Sequence, residues 1–159
     1  MKITENFSLE ELIISETAKK RGINNTPSEE ITNNLIKLTE EVLQPIRDKY
    51  GKSIKVTSGY RSPELNKAIG GAKTSQHLTG EAADLKVGDG NNKKLFDLIL
   101  EMINKGEITV GQCIWEYGTK QQPRWIHVSL PNFKHKNQIL YFHNLLMSVF
   151  FVCIFMPIK

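Results

Sequence analysis

Ser75-Gln76-His77-Leu78-Thr79-Gly80-Glu81-Ala82-Ala83-Asp84-Leu85 (SQHLTGEAADL) puts a histidine, a glycine and an aspartate into one short polar stretch. His77 and Asp84 are seven positions apart, and Gly80 between them can turn the chain back. AADLKV (82–87) reads as a strand on which Asp84 shares a face with Ala82 and Lys86. On spacing alone the stretch is either an ordinary loop entering a strand or part of a metal site awaiting a third ligand.

A third ligand is found further along the chain. In WIHVSL (125–130) strand alternation points His127 to the same side as Trp125 and Ser129. In QCIWEY (112–117) Gln112, Ile114 and Glu116 share a face, and a turn containing Gly118 and Pro123 joins the two segments. If they pair as neighbours, Glu116 and His127 meet on one side of a sheet. His77, Asp84 and His127 would then form a set of two imidazoles and one carboxylate. Such a three-ligand set leaves a fourth coordination position for water, which is the catalytic rather than the structural pattern for zinc. A lone histidine is more often a core or surface residue, so residue types and spacing leave both readings open.

The remaining segments place this stretch in an α+β domain: a small antiparallel sheet with N-terminal helices packed on it. Ser8 and Glu11 form a capping box, with Phe7 packing on Leu12 and Gly22 as the stop. Pro27, at a first helical position, opens the next helix, whose buried face is Ile31, Leu35, Leu38, Val42 and Ile46. Pro45 is expected to kink this helix and Gly51 to end it. IKVTSGY (54–60) alternates as a strand, Ser62-Pro63 opens a short helix through Ala68, and Leu95 to Ile103 is amphipathic and helical, ending at Gly106.

The composition is that of a soluble domain: 159 residues, 40% hydrophobic and 24% charged. The net charge of +4 is not concentrated in any lysine- or arginine-rich run. We expect no nucleic-acid partner; an anionic polymer such as bacterial cell wall suits the charge equally. Cys113 and Cys153 form no CxxC pair, which excludes a disulfide framework and a thiolate zinc knuckle. MKITENFSLEEL at the N-terminus has no apolar stretch of the length a secretory signal needs, so cytosolic synthesis is expected, with action on the wall through a route needing no signal. Residues 139–159 form an apolar tail after a domain spanning 1–138. The tail reads as a membrane anchor, as a closing strand followed by a packed segment, or as a non-native extension. A monomer is expected.

Taken in order, the residues say more than their spacing. SQHLTGEAAD is similar to the SxHxxGxAxD motif of the zinc D,D-peptidases, which include D-Ala-D-Ala carboxypeptidases, D,D-dipeptidases and phage endolysin endopeptidases. SGYRSPELNKAIGGAKTS upstream resembles that family's arginine segment, and WIHVS resembles its second-histidine strand. Over about residues 3–140 the chain most resembles the small phage and bacterial peptidases of the M15 class. The resemblance implies a hedgehog/D,D-peptidase-like fold with a Zn²⁺ site on the sheet. It makes His77, Asp84 and His127 the metal ligands, Arg61 a catalytic and substrate-binding residue, and Ser75 a residue that orients a ligand or the substrate. It implies hydrolysis of bonds in peptidoglycan stem peptides. The alternative is a non-catalytic zinc-containing wall-binding module on the same fold.

One departure bears on catalysis. Many family members carry an acid three residues before the second histidine, where this chain has Arg124. Glu116 is the expected base in its place, and Glu81 is the second candidate. Trp115, Tyr117 and Trp125 are expected to wall a cleft. Cys113 is expected to be buried and inert, and His135 and His143 to be non-ligands.

Overall fold

The computed structural model describes residues 1–142. In chain order the elements are α1 (Leu9–Ile13), α2 (Glu16–Arg21), α3 (Glu29–Leu38), a π turn (Thr39–Leu43), α4 (Gln44–Tyr50), β1 (Ile54–Ser58), α5 (Pro63–Ala68), a 3₁₀ turn (Gln76–Thr79), β2 (Ala82–Val87), α6 (Asn92–Asn104), β3 (Gln112–Glu116), β4 (Trp125–Ser129) and β5 (Gln138–Phe142). The strands form one sheet in the order β1-β2-β4-β3-β5. The fold is α+β, as expected, but the sheet is mixed rather than wholly antiparallel. β1, β2, β4 and β3 pair antiparallel, whereas β5 runs parallel to β3. β4 ends beside the start of β3, where Gly111 N donates to Ser129 O. The short connection to β5 never leaves that end of the sheet, so the last strand has to run in the direction of β3.

The helical region departs from expectation in its details. The predicted first helix is two, because the carbonyls that would continue α1 are used elsewhere. Leu12 O accepts from the amide of Tyr60 and Ile13 O from Asn25 Nδ2, and Ser15 then caps α2 through the amide of Ala18. Ser8 stands at the N-cap of α1 without a side-chain capping bond. The amide of Leu9 instead reaches Met1 O, since the N-terminal segment folds back on itself. Ser28, not Pro27, caps α3, which leaves Pro27 just outside the helix. Pro45 does not produce a sharp kink. The missing amide is accommodated by the π turn directly before it, and α3, that turn and α4 form one helical run closed by Gly51 at φ 71°.

The two faces of the sheet separate structure from chemistry. Val56, Ala83, Leu85, Cys113, Trp115, Ile126 and Val128 point into one core, with Leu35, Leu38, Val42 and Ile46 of the helical run and Leu95, Phe96 and Ile99 of α6. Trp115 thus lies in this core against Phe96 and Tyr141 and does not wall a cleft. Cys113 is buried, and burial raises its thiol pKa far above the ordinary value. β5 spans the expected boundary at residue 138, so the first residues of the apolar tail complete the sheet. Among the described residues no helix is long and apolar enough to cross a membrane. The rest of the expected anchor, including His143, lies outside the described residues.

Gly80 links the 3₁₀ turn to β2 at φ 72°, and a Cβ there would come within 2.8 Å of Ile31 O and Cγ2. Both the left-handed backbone and the contact with α3 require glycine. Gly80→Ala is expected to lower the free energy of unfolding by about 1–3 kcal/mol, read by urea denaturation. Unchanged stability would refute this account of the turn.

Candidate metal centre

Three short devices bring the site together on the open face of the sheet. The antiparallel register of β2 and β4 sets Asp84 directly opposite His127, so the two side chains emerge on the same face. The 3₁₀ turn places His77 just before β2. Ser75 caps this turn, its hydroxyl accepting from the amide of His77 at 3.3 Å, a contact that orients the ligand segment. The third device is an irregularity in β1. Register shifts between Val56 and Ser58, so that Ser58 rather than Thr57 opposes Asp84. The bulge turns Gly59, Tyr60 and Arg61 over the ligands.

His77 Nε2, His127 Nδ1 and Asp84 Oδ1 converge on one point. The distances are 3.2 Å between the two nitrogens, 3.3 Å from His77 to Asp84 and 3.1 Å from His127 to Asp84. All three residues are buried. His77 Nδ1 lies 2.6 Å from Gly59 O and is therefore the protonated nitrogen of a neutral ring, which leaves Nε2 a bare lone pair aimed at the other two atoms. A lone pair, a second imidazole nitrogen and a carboxylate oxygen in mutual contact need a cation or shared protons between them. Edges of 3.1–3.3 Å match a coordination shell with bonds of roughly 2.0–2.1 Å. The residues fit a divalent metal, and they form the group of histidine, cysteine and acidic side chains with metal-ligand spacing among the described residues.

The surroundings set the charges. Burial pushes the Asp84 carboxyl up, but His77 and His127 outweigh it and hold it well below the ordinary carboxylate range. Burial lowers the pKa of His77, which keeps its ring neutral and able to ligate. Arg61 Nη2 donates to the outer oxygen of Asp84 at 3.2 Å, so Oδ1 alone faces the histidines. Arg61 Nη1 lies 3.5 Å from Asn66 Oδ1, and its buried Nε has no protein partner.

Glu116 stands on β3 opposite Trp125 and on the same face as His127. Burial is the main cause that raises its carboxyl from 4.5 to about 7; Asp84 adds to the effect, while His127 and Arg61 oppose it. Tyr117 and Trp125, next to Glu116 in sequence and in strand register, pack their rings 5.2 Å apart. Glu81 has a different setting: its carboxylate accepts from the Thr79 hydroxyl on an exposed loop. His135 is outside the ligand group. The sequence reading missed the carbonyl of Gly59 as the partner of His77 and the contact of Arg61 with Asp84. The only signal for either was their position directly after the β1 pattern.

A buried histidine–aspartate–histidine centre with a carboxylic acid on the same face defines a site of metallohydrolase type. The Peptidase M15 family model matches residues 5–129, and the chain belongs to that family, a family of metallopeptidases. No curated protein matches the chain.

Replacing His77 or Asp84 by alanine is expected to abolish uptake of a divalent ion by the metal-free protein. In the parent protein metal at about a thousandfold excess over Kd should add about 4 kcal/mol of stability, seen as a rise in Tm. The variants should show none of that rise. A full metal-dependent rise in Asp84→Ala would remove these residues as the ligand set.

Proposed function

We propose that the protein is a zinc-dependent peptidase that hydrolyses peptide bonds in peptidoglycan stem peptides and acts on the bacterial cell wall. The observation that carries the reading is the place of Glu116: a half-buried carboxyl with a raised pKa on the face that carries Asp84 and His127, beside His77. Two imidazoles and a carboxylate suit zinc better than calcium or magnesium, which prefer oxygen ligands. The ordered resemblance of SQHLTGEAAD, SGYRSPELN and WIHVS to the D,D-peptidases favours a stem peptide, and a net charge of +4 suits an anionic wall.

Zinc held by His77, Asp84 and His127 would act as a Lewis acid toward a water and the scissile carbonyl. Glu116, as the carboxylate, takes the proton of the attacking water and passes it to the departing amide nitrogen. Its burial brings its pKa close to the working pH, where one group can serve as both base and acid. Arg61 is held in place by Asp84, and its guanidinium would offer positive charge to a substrate oxygen at the site. Ser75 keeps the His77 segment in register. Tyr117 and Trp125 limit water on the side of Glu116.

The test is digestion of purified cell wall, with muropeptides read by mass spectrometry with and without added Zn²⁺. Glu116→Gln should lower kcat by about 10²–10⁴-fold while zinc remains bound. Hydrolysis that survives chelation would sink the proposal, and wall binding without any cleavage by the parent protein would leave a binding module instead.

The pH profile follows from the same group. Glu116 works ionised, so kcat/KM falls as pH drops through its pKa. Burial raises that pKa to about 7 and a cation held by His77, Asp84 and His127 would work against the rise, so the acid limb should lie between 4.5 and about 7. A limb below the ordinary carboxylate value would exclude Glu116 as the base.

A further inference from the structure

Asn25 lies in the link between α2 and α3, far in sequence from any ligand, yet its carboxamide is fully used on the segment that supports the metal centre. Nδ2 donates to Ile13 O at 2.7 Å and to Tyr60 O at 3.1 Å, and Oδ1 accepts from the amide of Ser62 at 2.7 Å. Two of these bonds grip the backbone on either side of Arg61. The third ties that grip to the end of α1, whose Leu12 O also receives the Tyr60 amide at 2.7 Å.

Residues 59–62 are consequently held at every position. Gly59 O takes the Nδ1 proton of His77 at 2.6 Å, and the amide of Arg61 donates to His77 O at 3.0 Å. Gly59 leaves no slack toward α1, because a Cβ there would stand 2.2 Å from Leu12 O. From this held backbone the Arg61 side chain reaches the outer oxygen of Asp84. Two of the three ligands therefore take their second hydrogen bond from residues 59–62. A histidine ligand needs its other nitrogen held to fix tautomer and ring direction, and a carboxylate ligand needs its free oxygen satisfied.

We infer that Asn25 is a positioning residue of the metal centre, which fixes residues 59–62 and through them orients His77 and Asp84. The inference rests on the reading of these residues as metal ligands and adds a residue that never touches the metal. Only an uncharged carboxamide meets all three partners: aspartate would set an oxygen against the carbonyls of Ile13 and Tyr60, and alanine would leave all three groups unpaired.

The experiment measures Zn²⁺ affinity by competition with a chromophoric chelator at a temperature well below unfolding, with Co²⁺ absorbance as a second readout. Asn25→Asp and Asn25→Ala should each weaken Zn²⁺ binding by about 10–100-fold and change the Co²⁺ spectrum, in metal-free proteins that remain folded by circular dichroism. Affinity within twofold of the parent and an unchanged Co²⁺ spectrum, even with a lowered Tm, would make Asn25 merely structural and overturn the inference. If neither variant folds, amide exchange in the parent protein decides. A Ser62 amide as protected as those of β1 supports the clamp, and exchange at the rate of an open loop overturns it. Parent protein that takes up no Zn²⁺ overturns the metal-centre reading and this inference together, whereas parent binding with unaffected variants overturns the inference alone.

Discussion

The mutual approach of His77 Nε2, His127 Nδ1 and Asp84 Oδ1, buried and within 3.3 Å of one another, is the constraint around which the open face is built. A lone pair, a second ring nitrogen and a carboxylate oxygen so placed need a cation or shared protons between them, and burial removes the water that would otherwise screen them. Arg61 supplies one positive charge at the outer oxygen of Asp84, but from outside the triangle. The centre therefore suits a cation, and the surrounding structure keeps the triangle closed. The bulge in β1 carries Gly59 and Arg61 over the ligands, the cap at Ser75 sets the 3₁₀ turn, and the αL conformation at Gly80 lets His77 and Asp84 approach from one short stretch.

Strand alternation then divides the work. On β2, β4 and β3 the residues at one parity are Ala83, Leu85, Ile126, Val128, Cys113 and Trp115, and they close the core against α6 and the helical run. The opposite parity holds Asp84, His127 and Glu116. Shifting any of these strands by one residue would bury its polar group in the core and expose its apolar one, so core packing itself holds the register of the site. This places the Glu116 carboxyl, from a neighbouring strand, on the face that carries His127. Arg124 stands three before His127, and the carboxyl that shares a face with His127 comes instead through strand pairing, from Glu116 in the antiparallel β3–β4 register.

What was legible in the sequence was whatever repeats with a fixed period or sits in a fixed order. The alternation of IKVTS, AADLKV, QCIWE and WIHVS marked the strands, and the three- and four-residue spacing from Ile31 to Ile46 marked the buried helical face. Together with the motif order these brought out His77, Asp84, His127 and Glu116. What was not legible depended on long-range backbone bonds that carry no periodic signal. The break between α1 and α2 follows from Tyr60 and Asn25 taking the carbonyls of Leu12 and Ile13. The parallel course of β5 follows from the end of the sheet at which β4 finishes. Trp115 was misplaced because an aromatic on a strand fits either face, and only Phe96 and Tyr141 settle which one it packs on.

Arg61 shows how one side chain can shape the candidate centre from outside it. Its Nη2 bond to Asp84 satisfies the oxygen that would otherwise compete for the metal, which leaves a single carboxylate oxygen in the triangle. The same bond fixes the plane of the guanidinium, whose Nη1 lies 3.5 Å from Asn66 Oδ1 and whose buried Nε has no protein partner. A lysine ammonium could neutralise Asp84 as a point charge, but it has no second edge to present. Burial lowers the pKa of the guanidinium, and the two flanking carboxylates, Asp84 and Glu116, work to keep it charged. Glu116 is in turn held lower by Arg61 and His127 than burial alone would set it. Glu116, Arg61 and Asp84 are thus electrostatically linked: both carboxylates favour the charged guanidinium, and Asp84 and Arg61 act in opposite senses on Glu116.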